Sequence, residues 1–148
     1  MEFEVITRSK YKDAIEKSAK FYAKKLNISK SNYKVLIYTD NDLKSQGANG
    51  FALRTGKYTA HIVLYSRLST LQLLCTLAHE MVHIKQFVRG HYKSEKSRNG
   101  KYKKFWLGEQ VLAKYEKQPW EVEAYKKQGI LLDSLLTTIS RKIKRLQK

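Results

Sequence analysis

The alternation of apolar and polar positions predicts one helix and then several strands in the first half of the chain. In residues 8–26, apolar side chains recur at helical spacing between lysines, which is typical of an amphipathic helix. The short β-branched and aromatic run at 33–38 predicts a buried strand. Turn residues at 47–50 precede two further runs, 51–54 and 58–65. Because only a glycine-containing tripeptide separates these runs, we expect them to form a β-hairpin.

The next segment predicts a long helix in the centre of the fold. Ser69 and Gln72 have the spacing of a capping box, which marks a helix start. Gly90 is suited to the position just after the helix end. Between them, residues 73–84 are apolar on nearly every side, as in a buried helix. Any polar side chain inside such a helix needs a partner or a ligand.

The last third of the chain predicts a polar segment and a second long helix. Residues 91–104 are polar and basic, and residues 101–115 fit a small second hairpin. Pro119 is a favoured first-turn residue for a helix that runs to about residue 145, with a break at Gly129 as one option.

These elements predict one α+β domain over residues 1–148. The expected architecture is a small mixed or antiparallel sheet beside the buried helix, with helices at both ends of the chain. We expect the strand near Tyr58–Leu64 to form the sheet edge next to that helix. No apolar run approaches the roughly 20 residues that a membrane span needs. Cys75 is the single cysteine, and Met1–Ile6 lacks the layout of a signal peptide, so we expect a cytoplasmic protein.

Charge changes the picture of the surface. The chain has 30 Lys and Arg against 13 Asp and Glu, a formal net charge of +17. Such a surface attracts polyanions without reading sequence, and the predominance of lysine does not favour base recognition. Non-specific nucleic-acid association is therefore one expectation, and a merely solvated lysine-rich surface is the other.

The motif with chemical content is His79-Glu80-Met81-Val82-His83, in the middle of the predicted buried helix. Histidines at i and i+4 project from one face, so both imidazoles can reach one metal ion. Glu80 can then lie beside the ion and exchange protons with a water molecule. This is the zinc metalloprotease pattern. The alternative is a pair of core histidines bonded to the backbone, with Glu80 paired to a cation.

A catalytic zinc needs a third protein ligand. The residues alone leave several candidates after the motif, namely His91, Glu95, Glu109, Glu116, Glu121, Glu123 and Asp133.

The sequence resembles the zincin metallopeptidases of the gluzincin type, and most closely the small, single-domain SprT-like enzymes common in phage genomes. The matching stretches lie within residues 33–125 and are Gly50–Ala52, Ala60–Tyr65, Ala78–Gln86 and Pro119–Ala124. In that family the third ligand commonly opens a helix as Glu-x-x-small-(Asp or Asn). The resemblance makes Glu121 the third ligand, with Glu123 as its rival. Tyr125 stands where the family has the Asp or Asn that orients the first histidine, so the sequence departs from the pattern there.

The resemblance to SprT proper implies a different site, in which a third histidine downstream of the motif binds the metal. This makes His91 another candidate ligand. The resemblance also implies an oxyanion donor, for which His91, Tyr92, Tyr102 and Tyr115 are candidates.

The resemblance implies a zinc-dependent peptidase with one Zn²⁺ per chain, ligands His79, His83 and Glu121, and Glu80 as general base and acid. Its substrate is expected to be a peptide or protein, which can pair along the sheet edge as an added strand. If the chain is phage-encoded, the compartment is the host cytoplasm. Two alternatives remain. One is a basic nucleic-acid-associated module with a structural or secondary zinc, and the other is a degenerate zincin fold that only binds.

Overall fold

The chain forms an α+β fold in which one long helix lies between a sheet and a second long helix. A computed structural model describes residues 1–43 and 49–147, without the side chain of Glu116. The helices are α1 (Lys12–Lys25), α2 (Thr70–Arg89) and α3 (Pro119–Leu146). The strands are β1 (Glu2–Ile6), β2 (Lys34–Asp40), β3 (Gly50–Arg54), β4 (Thr59–Tyr65), β5 (Tyr92–Lys96), β6 (Tyr102–Trp106) and β7 (Glu109–Val111). None of the helices among these residues combines the length and apolar character that crossing a bilayer requires.

The larger sheet is mixed and has the order β1-β2-β4-β3. Strands β1, β2 and β4 are parallel, whereas β3 pairs antiparallel with β4. The predicted hairpin of β3 and β4 is thus confirmed. The expectation that the strand near Tyr58–Leu64 forms the edge is wrong, because β4 lies between β2 and β3. The edge next to the central helix is β3, a distinction that hairpin pairing alone does not make.

Helix α2 has the ends that the sequence predicts. Ser69 and Gln72 form both hydrogen bonds of the capping box, and Gly90 takes the left-handed conformation at φ 67°. The helix packs against α1, α3 and the sheet, so most of its residues from Leu73 to Phe87 are buried. Tyr22 of α1 donates a hydrogen bond to the Leu74 carbonyl within this core. The polar motif in the middle of α2 therefore lies in the buried part of the fold.

The second sheet has the order β5-β6-β7 and lies between α2 and α3 in the chain. The hairpin predicted in residues 101–115 corresponds to β6 and β7, whose turn has Leu107 and Gly108 at positive φ. Strand β5 was not predicted. Its segment is polar and mostly exposed, so it shows no alternation of apolar residues.

Three further differences between the predicted and the observed elements concern β1, α1 and α3. Strand β1 has no counterpart among the predicted elements, and α1 begins at Lys12 rather than at residue 8. Helix α3 continues through Gly129 without a break. Of the predicted turn at 47–50, residues 47 and 48 lie outside the described residues.

Candidate metal centre

Helix α2 presents two imidazoles side by side. His79 and His83 are one turn apart, and their ring centroids lie 5.0 Å from each other. Both residues are buried, with 8% of their surface exposed. Rotation by about 100° per residue leaves i and i+4 on one face, which explains the pairing.

Helix α3 brings the third residue to this pair. Glu121 lies in its first turn, with Oε2 at 3.0 Å from His79 Nε2 and Oε1 at 2.9 Å from His83 Nε2. One ligand atom from each of the three residues lies within 4.8 Å of the others. Ala124 is fully buried one turn further on, and its small side chain lets α3 pack closely on α2. The structure thus brings together the three residues expected as ligands.

The electrostatics of the trio match a cation site. Burial raises the pKa of the Glu121 carboxyl, but hydrogen bonds from both histidines outweigh this effect and hold that pKa well below its usual range. Burial lowers the pKa of His83, but its bond to Glu121, the negative charges of Glu80 and Glu121 and its bond to Gln86 together outweigh this and raise that pKa. Positive charge is therefore favoured between these groups, either as protons or as a divalent ion.

The donor set fits zinc in type and spacing. Two imidazole nitrogens and a carboxylate oxygen are the ligands of many catalytic zinc sites. Ligand atoms about 2.0–2.1 Å from a tetrahedral zinc lie roughly 3.3 Å from one another. Glu121 presents one carboxylate oxygen to each imidazole near that spacing, with Oε2 at 3.0 Å from His79 Nε2 and Oε1 at 2.9 Å from His83 Nε2. We conclude that His79, His83 and Glu121 could hold a metal ion.

A buried glutamine orients the second histidine. Gln86 is fully buried, and its Nε2 donates to the Trp120 carbonyl and to Glu123 Oε1. These two acceptors identify the amide nitrogen, so its Oε1, at 2.8 Å, must accept from His83 Nδ1. In the neutral imidazole, Nε2 then carries the lone pair and points toward Glu121. Such outer contacts set the tautomer of metal-binding histidines.

A second glutamine performs the same task for the first histidine. Gln128 Oε1 lies 2.7 Å from His79 Nδ1. Tyr125 makes no such bond, and its ring instead contacts the His79 ring edge-on at 4.6 Å. Gln128, one turn after Tyr125 on α3, therefore makes the contact to His79 that the Asp or Asn of the family pattern would make. Its signal was the spacing of seven residues from Glu121, which places Gln128 on the same helix face.

We expect Gln128→Met to weaken zinc binding by about 10–100-fold, the usual cost of losing such an outer contact. Zinc binding weakens because His79 loses the hydrogen-bond acceptor that fixes its tautomer. Competition with a chromophoric chelator measures the affinity, and Gln110→Met, at an exposed glutamine of β7, is the matched control. Equal affinities in both variants would show that the Gln128 contact does not tune the site.

Glu80 lies beside the trio and lines the same cavity. It is 4% exposed, and its Oε2 has no hydrogen-bond partner among the described residues. Burial raises the pKa of Glu80 to about 7, although the nearby His83 and His79 oppose that rise. A buried carboxyl with a free oxygen and a pKa near neutrality can both accept and release a proton.

The rival ligands lie elsewhere. Glu123 accepts a hydrogen bond from Lys85 at 2.9 Å and forms an ion pair with Lys127 at 3.3 Å. The His91 ring packs against Trp106, with centroids 5.9 Å apart. Neither residue belongs to the cluster of possible metal ligands in the described part of the chain.

Two of the four expected oxyanion donors line the cavity of the trio, namely Tyr92 and Tyr115. The Tyr115 hydroxyl donates to Glu121 Oε2 at 3.2 Å, next to the two histidines. Burial raises the pKa of Tyr115, so its proton stays on the oxygen at neutral pH. His91 and Tyr102 are absent from the lining of this cavity.

The trio lies in a cleft along the edge strand β3. A cavity of about 330 Å³ is lined by the trio, Glu80 and the start of β3, and a second cavity of about 680 Å³ continues past His79. The close approach of β3 depends on Gly50, because a Cβ there would lie 2.8 Å from the Thr76 methyl carbon of α2. The outer edge of β3, which pairs with no other described strand, thus lies next to the candidate ligands.

The chain matches no protein-family model, no curated protein and no solved structure. A functional assignment therefore depends on the site itself.

Proposed function

We propose that this protein is a zinc-dependent endopeptidase of the zincin type, with Glu80 as its general base and acid. The observation that carries the proposal is the convergence of His79, His83 and Glu121 beside the free carboxylate oxygen of Glu80, at the wall of a cleft. A purely structural zinc site is usually closed by four protein ligands. Three candidate ligands next to a cavity and a proton-accepting group favour catalysis instead.

Zinc is the ion that suits this donor set. Imidazole ligands favour Zn²⁺ and other late transition metals over Mg²⁺ and Ca²⁺, which prefer oxygen. When bound, zinc would supply a Lewis acid that polarises the scissile carbonyl and activates water.

The residues of the chain have separate tasks in this proposal. The Glu80 carboxylate, which lines the cavity, takes a proton from the attacking water and delivers it to the leaving amine. The Tyr115 hydroxyl lines the same cavity and, on turning from Glu121 Oε2 to the substrate, donates a hydrogen bond to the oxygen that develops negative charge. The backbone of β3 binds the substrate as an added strand. Because the cavities extend to both sides of His79 and Glu80, a substrate can continue past the cleaved bond in both directions.

Removal and return of the metal tests the proposal. We expect a chelator to abolish hydrolysis of a quenched fluorogenic peptide and one equivalent of Zn²⁺ to restore it. Zinc at about 1,000 times its Kd should add about 4 kcal/mol to the free energy of unfolding, which raises Tm by on the order of 10 °C. Calorimetry of the same samples separates metal binding, which raises Tm, from peptide hydrolysis. A Tm shift without hydrolysis would favour a binding protein with a zincin-like site, and hydrolysis insensitive to chelation would overturn the proposal.

Non-specific association with nucleic acid stays a prediction from the net charge of +17. It is compatible with the peptidase proposal, since a basic surface can bind nucleic acid non-specifically whether or not the metal site is catalytic.

A further inference from the structure

A third groove continues the cleft between the two sheets. It has a volume of about 770 Å³ and lies between β3 and strands β5 and β6. It shares lining residues with the cavity of the metal trio, so the two form one path. The shared residues are Ala52, Phe87, Tyr92 and Lys104.

The wall of this groove is basic. Arg54, Lys93 and Lys104 line it, and Glu95 is the single carboxylate among its described lining residues. None of the three cations forms an ion pair with a described carboxylate. The Arg54 guanidinium donates to two carbonyls of the β3–β4 turn, and Lys104 Nζ lies 5.8 Å from the centroid of the Trp120 ring. The three charges are thus available to a ligand.

The cavity on the other side of the trio differs in charge. Its described lining contains no Lys or Arg, and its single carboxylate is that of Glu80. The cleft is therefore asymmetric along its length, neutral on one side of the trio and positive on the other.

We infer that this basic groove selects peptide substrates with Asp or Glu on the N-terminal side of the cleaved bond. The inference rests on the proposed peptidase function and names its substrate class. Carboxylates would meet three cations that form no ion pair with a described carboxylate, and complementary charge improves selectivity as well as encounter rate. The groove also contains the apolar residues Leu53 and Phe87, which suit an extended peptide.

The direction follows from the course of β3. The strand runs from Gly50, which lines the cavity of the trio, to Arg54 in the basic groove, about 13 Å at strand spacing. Antiparallel pairing is the slightly more stable kind. A peptide paired antiparallel to β3 has its N-terminal part near Arg54. We therefore expect acidic residues about two to five positions before the cleaved bond.

Cleavage of a peptide library by the zinc-loaded protein, read by mass spectrometry, tests the preference. We expect enrichment of Asp and Glu at those positions. In a variant carrying Arg54→Glu, Lys93→Glu and Lys104→Glu, kcat/KM for an acidic peptide should fall by on the order of tenfold or more, while that for a lysine peptide rises. The matched control is Arg145→Glu, Lys142→Glu and Lys144→Glu at the exposed end of α3, which changes the net charge equally. Equal losses in both variants would reduce the effect to general charge attraction and overturn the inference.

Binding provides a measurement that does not depend on hydrolysis. Zinc-loaded Glu80→Gln protein should bind a fluorescent acidic peptide more tightly than its glutamine counterpart, and neutralisation of the same three cations to Gln should remove the difference. If this holds while the zinc-loaded protein with Glu80 intact cleaves no peptide, the peptidase proposal fails and the groove assignment stands. If cleavage occurs without acidic preference, the reverse applies. If a DNA oligonucleotide, and not the acidic peptide, depends on these three cations, the groove is a nucleic-acid site and the inference is wrong.

Discussion

Glu80→Gln is expected to lower kcat for peptide hydrolysis by about 10²–10⁴-fold, the usual contribution of a general acid–base group. The amide has nearly the shape of the carboxyl but does not take up the proton of the attacking water. Because Glu80 lies outside the ligand trio, zinc content should stay at one per chain. KM should change little, since the proton transfer concerns the transition state.

Thermal unfolding provides a second readout for this variant. The carboxyl of Glu80 is buried and leaves one oxygen without a partner, so its replacement removes a buried ionisable group. We therefore expect Tm to be unchanged or higher. Glu109→Gln, at an exposed glutamate of β7, is the control for removing one negative charge. Full activity in Glu80→Gln would contradict the proposed base, and loss of zinc would make Glu80 a ligand instead.

Glu121→Gln and Glu123→Gln are expected to separate ligand from neighbour. The two glutamates are two residues apart on α3, but only Glu121 meets the histidines. Loss of an anionic ligand should weaken zinc by more than about 100-fold, the upper range for an outer contact, and abolish hydrolysis. Glu123→Gln should weaken zinc by no more than about tenfold, because it breaks ion pairs with Lys85 and Lys127 and leaves the trio intact.

His91→Ala extends this comparison, since it removes the candidate ligand that a three-histidine site would use. We expect its zinc affinity to equal that of the unaltered protein. Metal content after gel filtration and chelator competition measure all three variants. A larger loss in Glu123→Gln or His91→Ala than in Glu121→Gln would contradict the ligand set.

The choice between Glu121 and Glu123 shows where sequence reasoning stops. Residues two apart on a helix differ by about 200° around its axis. Both glutamates nevertheless contact α2, Glu121 through the two histidines and Glu123 through Lys85 and Gln86. The helix itself is predictable from Pro119 and the pattern that follows. Which side faces α2 depends on how the buried Ala124, Leu131 and Leu135 pack, and that is a property of the assembled fold.

The outer contacts divide in the same way. Gln86 lies three residues after His83 and Gln128 lies seven residues after Glu121, so both spacings are visible in the sequence. Their roles become evident only when the partners are known, because Gln86 is oriented by the Trp120 carbonyl across the helix interface. Strand order is a further example, since pairing of β3 with β4 does not determine which of the two joins β2.

The sequence by itself determined the local features: the capped central helix, the i and i+4 histidines with Glu80, the hairpin and the start of the last helix. These depend on backbone geometry and on neighbours within a few residues. The family resemblance favoured Glu121 over Glu123, and the tertiary structure places Glu121 at the histidines. The tertiary structure alone decided which glutamines orient the histidines and which strand edge borders the cleft. Those outcomes depend on packing between segments that lie tens of residues apart, and local periodicity carries no record of that packing.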